Sequence, residues 1–256
     1  MKQILFLTAC INPNGMAYTA LSDAAERLRQ YKDALTWYLT NTALPILFVE
    51  NTGYDLSADF DEYVSSGRLE CLTFHGNDYN RNLGKGYGEA KIMQYGLDNS
   101  LMLKDDSVIV KVTGRLICKN IVEMCSRYDS AKTVYANIAK DDWGGNICGS
   151  SFVIAPVAFW KDFFLPKQEL LNDSKRYHFE HLLYASINQW EKVGNRHCEF
   201  WLLPQVEGKS GTSGVQIVSS AKRNLKGKVM YLLHGLGYRG YLNPLYHGDK
   251  DYGINK

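Results

Sequence analysis

No Cys-x-x-Cys pair occurs in this chain, and no apolar run approaches the roughly 18 residues needed to span a bilayer. Neither sign of charge prevails, since 29 basic residues face 27 acidic ones for a formal net charge of +2. There are no internal repeats, no low-complexity segments and no linker-like composition. Each absence narrows the field. The six cysteines (10, 71, 118, 125, 148 and 198) scatter singly, several in apolar strand-like stretches, and read as reduced core thiols of a cytosolic protein. The lack of a spanning segment leaves a soluble or peripheral protein. The balanced charge creates no general demand for nucleic acid as a partner. With 45% apolar and 12% aromatic residues, the 256-residue chain describes one globular domain with a full core.

The amino terminus looks superficially like a signal peptide. Its apolar run is short, however, and leads into the turn Asn12-Pro-Asn-Gly15, as the end of a first strand would. Strands are expected over residues 3–10, 45–49, 68–74 and 107–113, with helices over 21–39, from the glycine-rich stretch at 84 onward, and over 119–128. That βαβ alternation argues for a mainly parallel, helix-covered sheet. After Asp129 the pattern loosens. Strands are expected over 133–137, 149–155 and 198–203, and a helix over 172–192, giving a mixed second half.

Six places could carry chemistry. The turn Glu50-Asn51-Thr52-Gly53 ends a strand, where its polar groups could bond a base or ribose or simply turn the chain. Arg27 and Tyr31 share a helix face that could reach a diphosphate or merely meet solvent. In Gly84-Lys85-Gly86-Tyr87-Gly88-Glu89, alternate glycines would let a ligand approach the backbone at a helix start, where unpaired N–H groups favour an anion. The spacing fits neither a Walker loop nor a dinucleotide fingerprint. In Lys111-Val-Thr113-Gly114-Arg115, alternation places Lys111 and Thr113 on one sheet face. A lysine buried there must meet either a ligand anion or a protein carboxylate. Glu180, within Tyr177-His-Phe-Glu-His-Leu-Leu-Tyr184, could act as a general base or lie in solvent, and His178 with His181 could in principle ligate a metal. Finally, the polar loop 207–214, with Lys209 and Ser210, could cradle phosphates as a lid or be a surface loop.

In combination these pieces resemble the GT-A class of nucleotide-sugar-dependent glycosyltransferases, especially small bacterial enzymes of surface polysaccharide synthesis. The likeness runs to about residue 215 and rests on motif order, including the Asn82-Leu-Gly84 to Gly96-Leu97 stretch. Where that class would place a metal-binding Asp-x-Asp, this chain reads Lys111-Val-Thr-Gly-Arg115, similar to metal-independent members. Textual Asp-x-Asp matches at Asp59/Asp61 and Asp249/Asp251 do not end a central strand.

The resemblance implies a GT-A-like, Rossmann-type mixed sheet in a catalytic domain over 1–215. The mix of basic residues with Leu and Tyr in the segment over 216–256 suits a helical, basic segment that packs on the domain or touches anionic lipid. The resemblance implies inverting, metal-independent sugar transfer from a nucleotide sugar to a lipid-linked polysaccharide or lipopolysaccharide precursor, in the cytoplasm or at the inner membrane face. Lys111 and Arg115 would stabilise the leaving diphosphate, and Glu180 would be the base, with Asp142 in reserve. Donor binding would fall to Arg27, Tyr31, Glu50, Asn51, Thr52, Gly84, Lys85, Gly86, Thr113, Gly114, Lys209 and Ser210, and acceptor binding to His181 and Trp143. No cofactor is expected. The alternatives are a sugar-phosphate nucleotidyltransferase and an inactive carbohydrate-binding relative. Against the former, the first strand lacks a Gly-x-Gly-Thr-Arg-Leu-type loop.

Overall fold

The computed structural model describes residues 1–16, 19–128, 130–200, 202–211, 213–218 and the isolated positions 225, 228, 229 and 232. Seven strands form one mixed sheet. At its centre β1 (Gln3–Ala9) pairs in parallel with β2 (Ile46–Glu50) and with β4 (Val108–Thr113), and β3 (Leu69–Thr73) extends the sheet beyond β2. The expected parallel core is therefore present. The short β5 (Ile117–Cys118) leaves the sheet to pair elsewhere. β6 (Thr133–Tyr135) belongs to the far half, and the small hairpin β7 (Ile138–Lys140) and β8 (Asn146–Cys148) projects from it. β9 (Phe152–Pro156) runs antiparallel to both β4 and β6, and β10 (Arg196–Cys198) closes that edge. The second half is thus mixed, as expected. β11 (Val206–Lys209) bridges β5 and β12 (Gln216–Ile217) in a separate three-stranded ribbon.

Side-chain alternation divides the core into two layers. Leu5, Leu7, Phe48 and Val110 face one side with Tyr31, Leu35 and Tyr38 of α1 (Ala24–Asn41). The short α2 (Asp61–Ser65) carries the chain into β3, and α4 (Ile121–Ser126) adds Ile121 and Met124 to the α1 layer. Ile4, Phe6, Val49 and Ile109 face the other side with Ala90 and Met93 of α3 (Gly84–Asn99). That layer also takes Phe159 of α5 (Val157–Phe159), which runs on through a π-turn to Phe164, and Leu182 and Leu183 of α6 (Phe179–Lys192). Helices cover both faces of a single domain.

Two expectations change in detail. The helix anticipated over 172–192 begins only at Phe179. Before it, the Asn172 side chain caps a 3₁₀ turn over Asp173–Lys175, Arg176 adopts φ 59°, and Asn172 and Tyr177 form a bridge. The strand anticipated over 198–203 is displaced to Arg196–Cys198. In the expected carboxyl-terminal segment, the residues beyond Val218 lie outside the described ones, apart from the four isolated positions. Among the described residues no helix is long and apolar enough to cross a membrane.

The strangest core residue is Lys111, fully buried in β4 beside Phe6 and Val153. Its Nζ meets Glu89 Oε1 of α3 at 2.6 Å and donates to the Ser150 carbonyl, and it lies 5.2 Å from the Phe179 ring centroid. Of the two partners open to a buried lysine, a ligand anion or a protein carboxylate, the ammonium has the carboxylate. Removing one member of a buried pair strands the other charge and costs about 3–5 kcal/mol, whereas replacing both with apolar groups is often neutral. Glu89→Gln should therefore lose a few kcal/mol in urea unfolding, and Glu89→Leu combined with Lys111→Met should recover most of it. A single variant within the noise of wild type would refute that role.

Candidate functional site

The strand order reverses between β1 and β4, the position at which open α/β sheets bind ligands beyond their carboxyl ends. Gly114 turns the chain there. Its N–H donates to the Thr8 carbonyl at 2.9 Å, and a Cβ would press on that oxygen and on the Tyr31 ring.

On the β2 side, several expected donor ligands prove to be braces. The fully buried Glu50 carboxylate accepts the N–H groups of Ile11 (2.9 Å), Thr52 (2.8 Å) and Tyr54 (3.0 Å), together with the hydroxyls of Thr52 and Thr73. It joins the loops that follow β1 and β2 and has little accepting capacity left. The Thr52 hydroxyl also accepts Asn12 N–H at 3.2 Å. Asn51 differs, because its side chain is buried and Oδ1 has no partner. Arg27 donates to the carbonyls of Cys10 and Leu21 and to the Tyr31 hydroxyl, which in turn accepts Cys10 N–H at 2.9 Å. Burial pushes the Cys10 thiol up to about 11, against the pull of Arg27, so it stays neutral at ordinary pH.

The glycines of α3 do not open the backbone to a ligand. Gly84 sits at φ +79° with its missing Cβ over the Asp173 side chain, Gly86 abuts Phe179, and Gly88 abuts the Tyr79 hydroxyl. Asp173 Oδ2 also accepts the Lys85 N–H at 3.2 Å. The expected anion site at this helix start is therefore held by the protein's own carboxylate. Lys85 itself is exposed.

At the end of β4, Thr113 is half-buried and Arg115 almost wholly buried. Arg115 Nη1 donates to the Lys209 carbonyl at 2.8 Å, and its guanidinium lies 5.9 Å from the Tyr31 ring centroid. Nε is buried without a partner, and Gly211 packs so close to Nη2 that a Cβ there would clash with it. The 207–214 loop therefore lies against Arg115 through Lys209 and Gly211. Its contacts are backbone-led: Leu21 N–H to the Gly211 carbonyl, Ser210 N–H to the Val215 carbonyl, and a Lys209–Glu26 ion pair at 3.3 Å.

On the α6 side, the Ser150 hydroxyl donates to Glu180 Oε1, which links Glu180 through Ser150 to Lys111. Asp141, rather than the exposed Asp142, is the engaged carboxylate of the β7–β8 turn. It accepts the N–H groups of Trp143 and Gly145 and meets His181 Nε2 at 2.9 Å. His181 Nδ1 accepts His178 N–H at 3.2 Å, so its proton sits on Nε2 and both ring nitrogens are used inside the protein. Burial works to raise the Asp141 carboxyl, but His181 and the two N–H groups outweigh it and hold it below its usual range. Trp143 is 60% exposed, under the Arg176 guanidinium. Among the described residues no group of three or more His, Cys, Asp or Glu side chains could hold a metal, and His178 is directed to Asp173 instead.

Four contributors escaped the sequence reading: Glu89, Asp141, Asp173 and Arg176. Glu89 ends the glycine motif, and only the chain crossing from α3 to β4 pairs it with Lys111. Asp141 stood next to the chosen Asp142, with no sequence signal to separate the two.

The hydrogen bond that His178 Nδ1–H donates to Asp173 Oδ1, 3.0 Å away, raises the imidazole above its ordinary value near 6.5, against desolvation. A raised folded value makes this stabilisation complete below the unfolded value and lost as pH rises through the folded one. In thermal melts, His178→Ala should therefore cost more at about pH 5 than at about pH 9. Equal penalties would remove the pair from the account.

No protein-family model matches the chain, and no curated protein does. Among solved structures it is similar to a 4-diphosphocytidyl-2C-methyl-D-erythritol synthase (10% identity, TM-score 0.44, 91% of this chain and 98% of that one). It is also similar to the inositol-1-phosphate CTP transferase from T. maritima (10%, 0.42, 78% and 85%). A third is a Desulfovibrio desulfuricans G20 protein provisionally described as a nucleotide-diphospho-sugar transferase (11%, 0.39, 98% and 97%). These likenesses are distant and concern fold alone. The expected transfer of sugar to a surface glycan is corrected, because two of these three structures are named for cytidylyl or CTP chemistry.

Proposed function

We propose that the chain is a nucleotidyltransferase, joining a nucleoside triphosphate to a phosphorylated sugar or polyol. One observation carries the reading: the partnerless Nε edge of buried Arg115 at the strand-order reversal. The Nε–Nη2 edge of a guanidinium matches two phosphate oxygens at once, and leaving it unmade in a buried position is costly. With no glycine-rich phosphate loop after β1, the charge of the phosphates falls to this side chain.

The carboxylates favour the same chemistry. Glu50, Glu89, Asp141, Asp173 and Glu180 are each engaged by protein donors. Attack by a neutral hydroxyl needs a base to take its proton, whereas a phosphate oxygen is already ionised. In the proposed step a phosphate oxygen of the acceptor bonds to the α-phosphorus. The bond to the bridging oxygen of the β-phosphate breaks, and pyrophosphate leaves with the electron pair. Arg115 offsets the charge that collects on the oxygens. Asn51, whose Oδ1 lacks a partner at the end of β2, supplies a hydrogen-bonding amide to the base.

Calorimetric titration of ATP, CTP, GTP and UTP tests this. At least one should bind, with Arg115→Ala weakening it tenfold or more and Arg115→Lys failing to restore it, because an ammonium lacks the two-point edge. A wild-type protein that binds none of the four, or an Arg115→Ala variant that binds as wild type does, would overturn the reading. The reading also makes the protein's own phosphate contact cationic rather than metal-borne. EDTA should then weaken nucleotide binding less than about twofold, by the same guanidinium contact. A tenfold loss restored by Mg²⁺ would reverse that part.

A further inference from the structure

The β7–β8 turn displays a large aromatic side chain on a backbone fixed by several hydrogen bonds. Asp141 accepts the N–H groups of Trp143 (3.0 Å) and Gly145 (2.6 Å), its own N–H donates to the Gly145 carbonyl at 2.9 Å, and Gly144 N–H returns to the Asp141 carbonyl. His181 of α6 holds Asp141 from below. The turn is thereby tied to the helix that bears Glu180. Yet the indole it carries remains 60% exposed, an unusual outcome for so fixed a residue.

Arg176 lies against that indole, its Cζ 4.5 Å from the ring centroid. It is one of two non-glycine residues with positive φ among those described, and the Asn172–Tyr177 bridge and its own N–H to the Asp173 carbonyl hold it there. Left-handed backbone at a bulky residue is strained and tends to persist where a side chain must be aimed. Among the described residues the guanidinium makes no ion pair or hydrogen bond, so its donors remain available. The Arg176 turn also carries Asp173, which caps α3, placing the Trp143–Arg176 pair at the α3–α6 rim of the sheet.

We infer that Trp143 and Arg176 form the seat for the phosphorylated sugar or polyol, an inference that rests on the nucleotidyl-transfer reading and supplies its second substrate site. The indole offers a rigid apolar surface for the C–H face of the ligand. The adjacent guanidinium pairs with its phosphate. Neither group alone selects such a molecule: the ring would take any apolar face, and the guanidinium any anion. Side by side on one fixed turn, they require both features in one ligand.

The test uses the full chain and calorimetric titration with glucose 1-phosphate, ribitol 5-phosphate and glycerol 3-phosphate, with glucose and inorganic phosphate as single-feature probes. At least one phosphorylated compound should bind wild type at least tenfold more tightly than glucose or phosphate. Trp143→Ala and Arg176→Ala should each weaken it tenfold or more, and Arg176→Lys should restore less than half of that loss. Binding of the preferred nucleoside triphosphate should stay within twofold in all three variants, which also shows that they are folded. Failure of every phosphorylated probe to bind, binding no tighter than phosphate alone, or unchanged binding in both alanine variants would overturn the seat. The nucleotide arm reports separately on the underlying reading: if no triphosphate binds wild type, that reading fails whatever the sugar-phosphate result.

Discussion

A lysine ammonium buried within a β-sheet is tolerable only where a carboxylate meets it, and the Lys111–Glu89 contact is the constraint around which this site is built. Glu89 also accepts the Thr8 hydroxyl at 2.9 Å, so a single carboxylate ties α3 to β1 and β4 at the strand-order reversal. Lys111 extends the link to the Ser150 carbonyl, and Ser150 extends it to Glu180 on α6. Two of the helices on that face of the sheet, α3 and α6, are thus located by one run of hydrogen bonds. The large apolar residues around it, Phe6 and Phe179 among them, keep water away and strengthen each link.

Other carboxylates do comparable work in the loops. Glu50 gathers the segments after β1 and β2, Asp173 closes the start of α3, and Asp141 sets the β7–β8 turn. Glu70 does the same away from the site, accepting from Ser100, Leu101 and Met102. In each case an anion inside the protein takes up N–H groups that would otherwise face solvent or a ligand. Beside these committed carboxylates, Arg115 near the 207–214 loop and Arg176 against Trp143 are cations with unused donors. The chemical character of the cleft follows from that division.

Much of the fold was legible because buried parallel strands are nearly continuous apolar runs, as in Ile-Leu-Phe-Val of β2 and Val-Ile-Val of β4. The α1 and α3 periodicities were equally plain. The 157–170 helical stretch was not, because it passes from α through π to 3₁₀ and keeps no single period. The break before α6 was hidden for a different reason: an asparagine cap and one left-handed arginine interrupt a pattern that stays amphipathic across them. The three glycines at the start of α3 invited a reading in terms of ligand approach. Close backbone approach was indeed their purpose, but the neighbours approached are Asp173, Phe179 and Tyr79.

By itself, the sequence determined that the chain forms a mixed α/β sheet with polar strand ends at 50–53 and 111–115, because burial periodicity and turn residues are local properties. It also determined that Lys111 needed an anionic partner, because the cost of burying an ammonium does not depend on which partner is found. Only the tertiary structure decided that this partner is Glu89, that Glu50 and Arg27 are braces, and that Arg115 Nε is buried without a partner. Those outcomes depend on which of several chemically equivalent groups the crossings of α3, α6 and the 207–214 loop bring within hydrogen-bonding distance, and composition and spacing along the chain do not encode that distance.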